Sequence, residues 1–374
     1  MTKGADEVNA NLEIPSPDEL YDRARKLQPV LIEREEETAE LRRLPDETIQ
    51  DLKDLGFFKI LQPKSWGGYE MDPRVYYRVT GILGEASMTT AWVFSVVGVH
   101  NWQIALFDEQ AQKDVWKDDN SVLISSSYAP MAKVTPKEGG YIISGQWDWS
   151  SGCDHCNWVF LGAVVNPEAE GFGGFATVLI PREDYEIVDN WYVYGLKGTG
   201  SKRIVVEEAF VPEYRIHKLM DAHSTNSPGN KVNNGPLYKV PFGQVFTYSV
   251  TIPALGAYKG AFETWLKYGK TRVSSFGVEA KTDPSTQKLA AETSTEIDEM
   301  WNSINNNFEF IGYLNGGPRN QATNEYRTPL VIRLTLCSIN EGNTITDPFF
   351  NLGTLIFAPA LGSEKKISPE FLGT

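Results

Sequence analysis

Three short segments carry side chains that could do chemistry. In WVFSVVGVHNW, residues 92–102, His100 closes an apolar run of helical character and sits among large aromatics. An imidazole there can titrate near neutrality and act as a base, or it can be a core histidine with its hydrogen bonds satisfied. Residues 125–130, SSSYAP, put three adjacent hydroxyls at the end of an apolar strand. Strand alternation turns Ser126 to one face and its neighbours to the other, so one hydroxyl could enter a pocket while two satisfy backbone; a polar turn is the plainer alternative. In GGYIISGQWDWSSGCDHCNWVFLGA, residues 139–163, the group Trp149, Ser150 and Ser151 lies between two strands. Indole packs on flat heteroaromatic rings while hydroxyls hydrogen-bond a ring edge, which suits the wall of a cofactor site. Cys153 and Cys156 form a CxxC, but a zinc site wants a second pair and only Cys337 remains. A redox dithiol would need a strand-to-helix context that is missing here.

The elements that must hold these groups follow the order helix, strand, helix. Residues 1–17 lack periodicity and contain Pro15 and Pro17, which reads as a loose tail. Leu20, Leu27, Val30, Leu31 and Leu41, set among charges, predict an amphipathic helix from Asp18 to Arg43. A second is expected from Pro45 to Leu55, with Asp46 and Glu47 at its positive end and Gly56 to stop it. More helix is expected from Pro73 through Phe107. From Ser121 to Pro212 the period shortens, and runs such as VLISSSYA, NWVFLGAVV, FATVLIP and KRIVVEEAFVP predict a β-domain of six or more strands. After a loop rich in Asn, Pro and Gly near 224–237, helical patterning returns from about Thr247, where Gly256, Ala257, Gly260 and Ala261 permit close helix packing. The stretch after Glu341 shows no sustained period. The expected division is a tail at 1–17, an N-terminal helical domain at 18–118, a central β-domain at 119–223 and a C-terminal helical domain at 224–374.

Bulk properties narrow the partners. At 374 residues the chain exceeds what one core usually serves. Its apolar runs are broken by polar residues well before the ~18 positions of a membrane span. The start, MTKGADEVNANLEIPSPDEL, lacks the apolar stretch of a secretory signal, and three cysteines are too few for a disulfide scaffold, so a reducing, cytoplasmic setting is expected. A net charge of −14 repels nucleic-acid phosphate and anionic lipid, which leaves a small molecule or a protein as partner.

From about Leu41 to Ile216 the chain resembles the flavin-dependent phenol hydroxylases of the acyl-CoA dehydrogenase fold, oxygenase components such as those of 4-hydroxyphenylacetate hydroxylase and the secosteroid phenol hydroxylase. The segments that carry the likeness are LRRLPDETIQDLKDLGFFKILQPKSWGG, GVHNWQIALF, SSSYAP, WSSGCDHC, PREDYEIVDNWY and GTGSKRIVVEEAFVPEYRI. The parent dehydrogenases share a similar GY-x-x-x-G-x-x-x-W strand signature. The resemblance implies an α+β chain: an N-terminal helical domain, a central β-domain and a C-terminal helical bundle, assembled as a homotetramer. It also implies reduced FMN or FAD, O2 and a small aromatic substrate, with hydroxylation through a C4a-hydroperoxyflavin. No GxGxxG follows a strand, so a separate flavin reductase is expected to supply the reduced cofactor.

Carried over by residue, the likeness implies that His100 lies at the substrate phenol and helps ionise it, with Ser126 hydrogen-bonded to the same oxygen. Ser151 would face flavin N5, Trp92 and Trp149 would line the pocket, and Ser150, Thr199, Ser201 and Arg272 would be further cofactor contacts. The family also has a second active-site histidine and an Arg-Asp pair on its final helices, whereas this sequence has no histidine after His223. Three other activities fit the same framework: oxygenation at sulfur or nitrogen, acyl-CoA dehydrogenation with a carboxylate base, and flavin or ligand binding without turnover.

Overall fold

Ser16 fixes where the first helix begins. Its hydroxyl accepts from the Glu19 N–H while the Glu19 carboxylate accepts from the Ser16 N–H, a reciprocal cap in front of α1 (Pro17–Glu33). The computed structural model describes residues 13–310; residues 1–12 of the expected tail, Cys337 and the unassigned stretch after Glu341 lie outside the described residues. Leu20, Ala24, Leu27 and Leu31 form the buried stripe of α1.

The single helix expected over 18–43 is two. Arg34 takes φ −87° and ψ 0°, its N–H turns back to the Val30 and Ile32 carbonyls, and α2 (Glu35–Leu41) restarts on three glutamates that favour a new positive helix end. The helix predicted over 45–55 is present as α3 (Asp46–Asp54). The helix expected through 73–107 is divided into α4 (Pro73–Ala86), α5 (Met88–Gly98) and α6 (His100–Ile104). Ser87 makes the first break: its backbone is extended, and its hydroxyl accepts from the Thr90 N–H to open α5. After α7 (Glu109–Trp116) the chain turns to strand.

The strands are β1 (Ile124–Ser127), β2 (Lys133–Lys137), β3 (Gly140–Ser150), β4 (Trp158–Val164), β5 (Phe175–Pro181), β6 (Glu186–Val188), β7 (Lys202–Pro212) and β8 (Ile216–Lys218). They make two four-stranded sheets, ordered β1-β4-β5-β8 and β2-β3-β7-β6, with β1 and β4 parallel and the other pairs antiparallel. Ile143, Trp147, Val159, Leu161, Val178, Ile180, Ile204 and Val206 bury themselves in a common core drawn from both sheets. The register between β3 and β7 slips between Trp147 and Ser150, so one extra residue bulges from β3 before Ser150 pairs with Lys202 at its end.

The helical part resumes with α8 (Leu219–Ser224) and α9 (Phe242–Gly269), followed by α10 (Pro284–Phe310). Helix α9 starts at Phe242 rather than near Thr247, because Pro241 caps it from the extended region and the following residues continue inward-facing apolar positions. The expected close approach is real: a Cβ on Gly256 would sit 2.4 Å from the Gly81 carbonyl oxygen of α4, and one on Gly260 would sit 2.1 Å from that of Glu85. Among the described residues no helix is long and apolar enough to cross a membrane.

Candidate functional site

Helix α5 and the turn after β3 meet on glycine. Gly152 has φ +70°, and a Cβ there would lie 2.8 Å from Val93 Cγ1 and 3.1 Å from Val97 Cγ2, so only a glycine lets the helix rest on this turn. One position earlier on α5, the Trp92 indole N–H donates to Ser151 Oγ at 3.0 Å. His100 follows at the start of α6, roughly 12 Å further along the helical rise.

The bulge ending β3 places Trp149 at φ +67°, a left-handed backbone that costs a non-glycine residue about 1–2 kcal/mol and is held here by its surroundings. It leaves the indole half-buried, with Ser150 and Ser151 buried just beyond it. Ser150 Oγ has no hydrogen-bond partner. Ser151 Oγ pairs with Ser201 Oγ at 2.7 Å, Ser201 with Thr199 Oγ1 at 2.7 Å, and Thr199 donates to the Leu196 carbonyl at 3.0 Å. The Gly152 N–H donates to the Thr199 carbonyl at 2.9 Å, and Lys202 Nζ donates to Asp154 at 2.9 Å. Sequence positions 149–154 and 196–202 therefore form one structure.

The second cluster stands at β1. His100 is fully buried, and its Nδ1–H donates to the Ile124 carbonyl at 2.6 Å, since a carbonyl can only accept. That bond fixes the tautomer and leaves Nε2 as a bare acceptor, which has no hydrogen-bond partner. Burial lowers the imidazole pKa to about 4, against a smaller opposing effect of the Ile124 carbonyl, so the ring is neutral at pH 7. Tyr128 and Phe160 meet the ring edge-on at centroid distances of 6.3 and 5.4 Å. Ser126 is half-buried beside the Tyr128 phenol, whose O–H donates to Gln103 Oε1 at 2.5 Å.

Strand alternation around Ser126 holds in part. Ser127 satisfies backbone, donating to the Asp148 carbonyl at 2.7 Å and so tying β1 to the end of β3. Ser125 does not: its Oγ is buried against the Cys156 thiol without a well-formed hydrogen bond. Trp92, Trp149, Ser150, Ser151, Thr199 and Ser201 are thus gathered on one side of α5, and His100 and Ser126 at β1. Arg272 is not gathered with them; it is exposed beyond the end of α9, with its guanidinium 5.8 Å from the Tyr268 ring centroid.

Sequence reasoning passed over Tyr128, Gln103, Leu196 and the Asp154–Lys202 pair. Gln103 lies three positions after His100, a spacing that shares a helix face. Cys153 and Cys156 are free and buried, and burial pushes the Cys153 thiol up to about 12. Among the described residues no cluster of three or more His, Cys, Asp or Glu could hold a metal.

The buried imidazoles have a consequence for acid stability. His100 is held at about 4 and His217 at about 3, and burial, the first cause in each, also lowers His155 and His223. Below pH 6.5 the unfolded chain takes up protons that the folded chain refuses, so stability falls as pH drops from 6.5 toward 4. His100 alone accounts for roughly 3 kcal/mol across that window. Melting temperature recorded against pH should decline there, and a His100→Asn variant should show a shallower decline.

The family model for the acyl-CoA dehydrogenase N-terminal domain matches residues 18–118. The oxygenase subunit HsaA of a flavin-dependent monooxygenase from Rhodococcus jostii (strain RHA1) is 43% identical over 283 residues, covering 75% of this chain and 74% of that protein. The oxygenase component of p-hydroxyphenylacetate 3-hydroxylase from Acinetobacter baumannii is 35% identical over 258 residues, covering 69% of this chain and 61% of its own. Among solved structures, 3-HSA hydroxylase from Rhodococcus sp. RHA1 superimposes with a TM-score of 0.74 at 42% identity, over 79% of this chain and 76% of the other.

Proposed function

The chain belongs to the flavin-dependent aromatic monooxygenases, as an oxygenase component on the acyl-CoA dehydrogenase fold, and on that premise we propose that it hydroxylates a small phenolic substrate with His100 as the base. The observation that carries this reading is the bare Nε2 of His100, a buried acceptor whose tautomer is already set. A phenol O–H is the complementary group. Native interiors seldom leave such an atom unpaired without a use for it.

The cofactor is reduced flavin, which when bound supplies the activation of dioxygen. The residues fit it. Two half-buried indoles, Trp92 and Trp149, flank the buried Ser150 and Ser151, and Ser150 Oγ awaits a partner. In this reading Ser151 faces flavin N5, Trp92 and Trp149 wall the ring, and Ser150, Thr199 and Ser201 stand at its edge. His100 takes the phenol proton on Nε2, Ser126 hydrogen-bonds the same oxygen, and the aromatic surround of Tyr128 and Phe160 keeps water from the reacting carbon. Among the described residues the groups that touch His100 and Ser151 are indole, hydroxyl, phenol and phenyl rings and backbone carbonyl, a set suited to holding an aromatic ring.

The same reading assigns a separate reductase as the source of reduced FMN or FAD, a cytoplasmic location and a homotetramer. Arg272, exposed on its own chain, then serves the flavin of a neighbouring subunit. The division at 18–118, 119–223 and from 224 onward is kept as three domains.

The test is direct. The protein is mixed anaerobically with photoreduced FMN or FAD, and dioxygen is then added with a panel of substituted phenols. A monohydroxylated product should form from at least one phenol in proportion to the flavin oxidised. Flavin reduction by an acyl-CoA, or flavin oxidation that yields only hydrogen peroxide with every phenol, would overturn the assignment.

A further inference from the structure

The hydroxyls linked to Ser151 have a direction that the bonding rules determine. Thr199 ends the series on the Leu196 carbonyl, which can only accept, so the single Thr199 hydroxyl proton is spent there. Thr199 must then accept from Ser201 across their 2.7 Å contact, and the Ser201 proton is spent in turn. Ser201 must accept from Ser151 across the next 2.7 Å contact. Ser151 therefore has no proton left to give. It already accepts from the Trp92 indole N–H at 3.0 Å, and what remains is one lone pair. Ser151 and Ser201 are 4% and 2% exposed, and Thr199 is 1% exposed, so water cannot readily replace a lost link.

We propose that Thr199 and Ser201 are positioning residues that fix Ser151 as a hydrogen-bond acceptor, and that this polarity makes the site select reduced over oxidised flavin. The proposal rests on the reading that Ser151 faces N5. Reduced flavin carries a hydrogen on N5 and can donate to the Ser151 lone pair with every existing bond intact. Oxidised flavin has a lone pair on N5 and needs a donor. To become one, Ser151 would have to turn its proton away from Ser201, leaving two buried oxygens 2.7 Å apart with no proton between them, or the whole series would have to reverse and give up the bond from the Thr199 hydroxyl to the Leu196 carbonyl, which would keep only the Thr199 N–H and the Trp191 indole N–H as donors. Binding the oxidised form thus forfeits a hydrogen bond that binding the reduced form keeps.

Thr199→Val is the informative change because it preserves shape and removes the end of the series. Ser201 is then free to donate to Ser151, and Ser151 is free to donate to N5. Affinities for oxidised flavin, by fluorescence titration, and for photoreduced flavin, by anaerobic titration, are measured for the intact protein and three variants. The ratio of the two dissociation constants should fall by about tenfold in Thr199→Val, the effect of roughly one hydrogen bond. Ser224→Ala, which removes an exposed hydroxyl outside this series that donates only to the Asp221 carbonyl, is the control, and its ratio should stay near that of the parent. Ser151→Ala should weaken reduced-flavin binding and also lower the ratio. If Ser151→Ala alters neither affinity, the placement of Ser151 at N5 is wrong. If it weakens reduced-flavin binding while Thr199→Val, folded with an unchanged melting temperature, keeps the parent ratio, the placement stands and the polarity proposal falls. A Thr199→Val protein that melts early is replaced by Ser201→Ala, which also detaches Ser151 from the Leu196 carbonyl and should lower the ratio likewise; an unchanged ratio there sinks the proposal.

Discussion

Replacing His100 by Asn should slow oxygen transfer to a phenol by about 10²–10⁴-fold at pH 7, the usual consequence of losing a general base. Flavin binding and the oxidation of reduced flavin by dioxygen should stay at parent rates, since neither uses the imidazole. The substitution suits the geometry, because an Asn side-chain N–H can still donate to the Ile124 carbonyl that holds His100 now. What disappears is the second nitrogen, the buried acceptor with no partner. Raising the pH should rescue the variant in part, because solvent then delivers the substrate already ionised. A purely structural histidine makes the opposite forecast: stability would fall by roughly 1–3 kcal/mol and activity would follow only the folded fraction. Rapid-mixing measurement of product formation, with melting temperature recorded alongside, separates the two. A parent rate of oxygen transfer at pH 7 would remove His100 from catalysis.

The largest effect on stability is expected at Lys202. Its ammonium lies 2.9 Å from the Asp154 carboxylate, and the two side chains are 11% and 14% exposed. Asp154 Oδ2 already lacks a partner, so Lys202→Met would leave a nearly buried carboxylate with nothing to balance it. Breaking one side of such a pair costs about 3–5 kcal/mol, whereas replacing both sides by apolar groups costs far less. Lys202→Met should therefore shift the urea midpoint strongly, and adding Asp154→Leu should recover most of the loss. A double variant as unstable as the single one would show that shape, not charge, holds the two segments together. Lys202 directly follows Ser201 and Asp154 lies two residues after Gly152 on the adjoining turn, so the single variant should also loosen the hydroxyl series beside it.

Much of the helix and strand pattern was legible because it depends on local chemistry. Apolar spacing marked α1, Pro45 and Gly56 bracketed α3, and the runs between Ser121 and Pro212 predicted strands that the sheets contain. The break at Arg34 was not legible: the apolar stripe continues past it, and the interruption is a matter of backbone angles that no side chain announces. The site divides in the same way. His100 and Ser126 stood out by type and setting. The joining of Ser151 to Ser201, 50 positions later, and of Trp92 to Ser151, 59 positions later, depends on how β3 pairs with β7 and how α5 rests on the turn after β3 and the loop before β7. Pairing of that range has no local signature, and only the family resemblance suggested these residues together. Tyr128 and Gln103 were in view, yet nothing in their neighbourhood on the chain revealed that one would donate to the other.

The two thiols next to Ser151 also bear on how long such a protein can work. A centre where reduced flavin meets dioxygen sheds some hydrogen peroxide, and cysteine is attacked by it as the thiolate. Cys153 Sγ lies 3.7 Å from the Gly200 carbonyl and Cys156 Sγ 3.4 Å from that of Gly152, both buried. Burial, reinforced by the charge of Asp154 beside Cys153, keeps the proton on sulfur, Cys153 up to about pH 12 and Cys156 well above its ordinary range. On the proposal that Ser151 faces the flavin, these two thiols stand beside the source of oxidant in the protonated form that reacts poorly with it, and oxidative wear should fall first on other side chains.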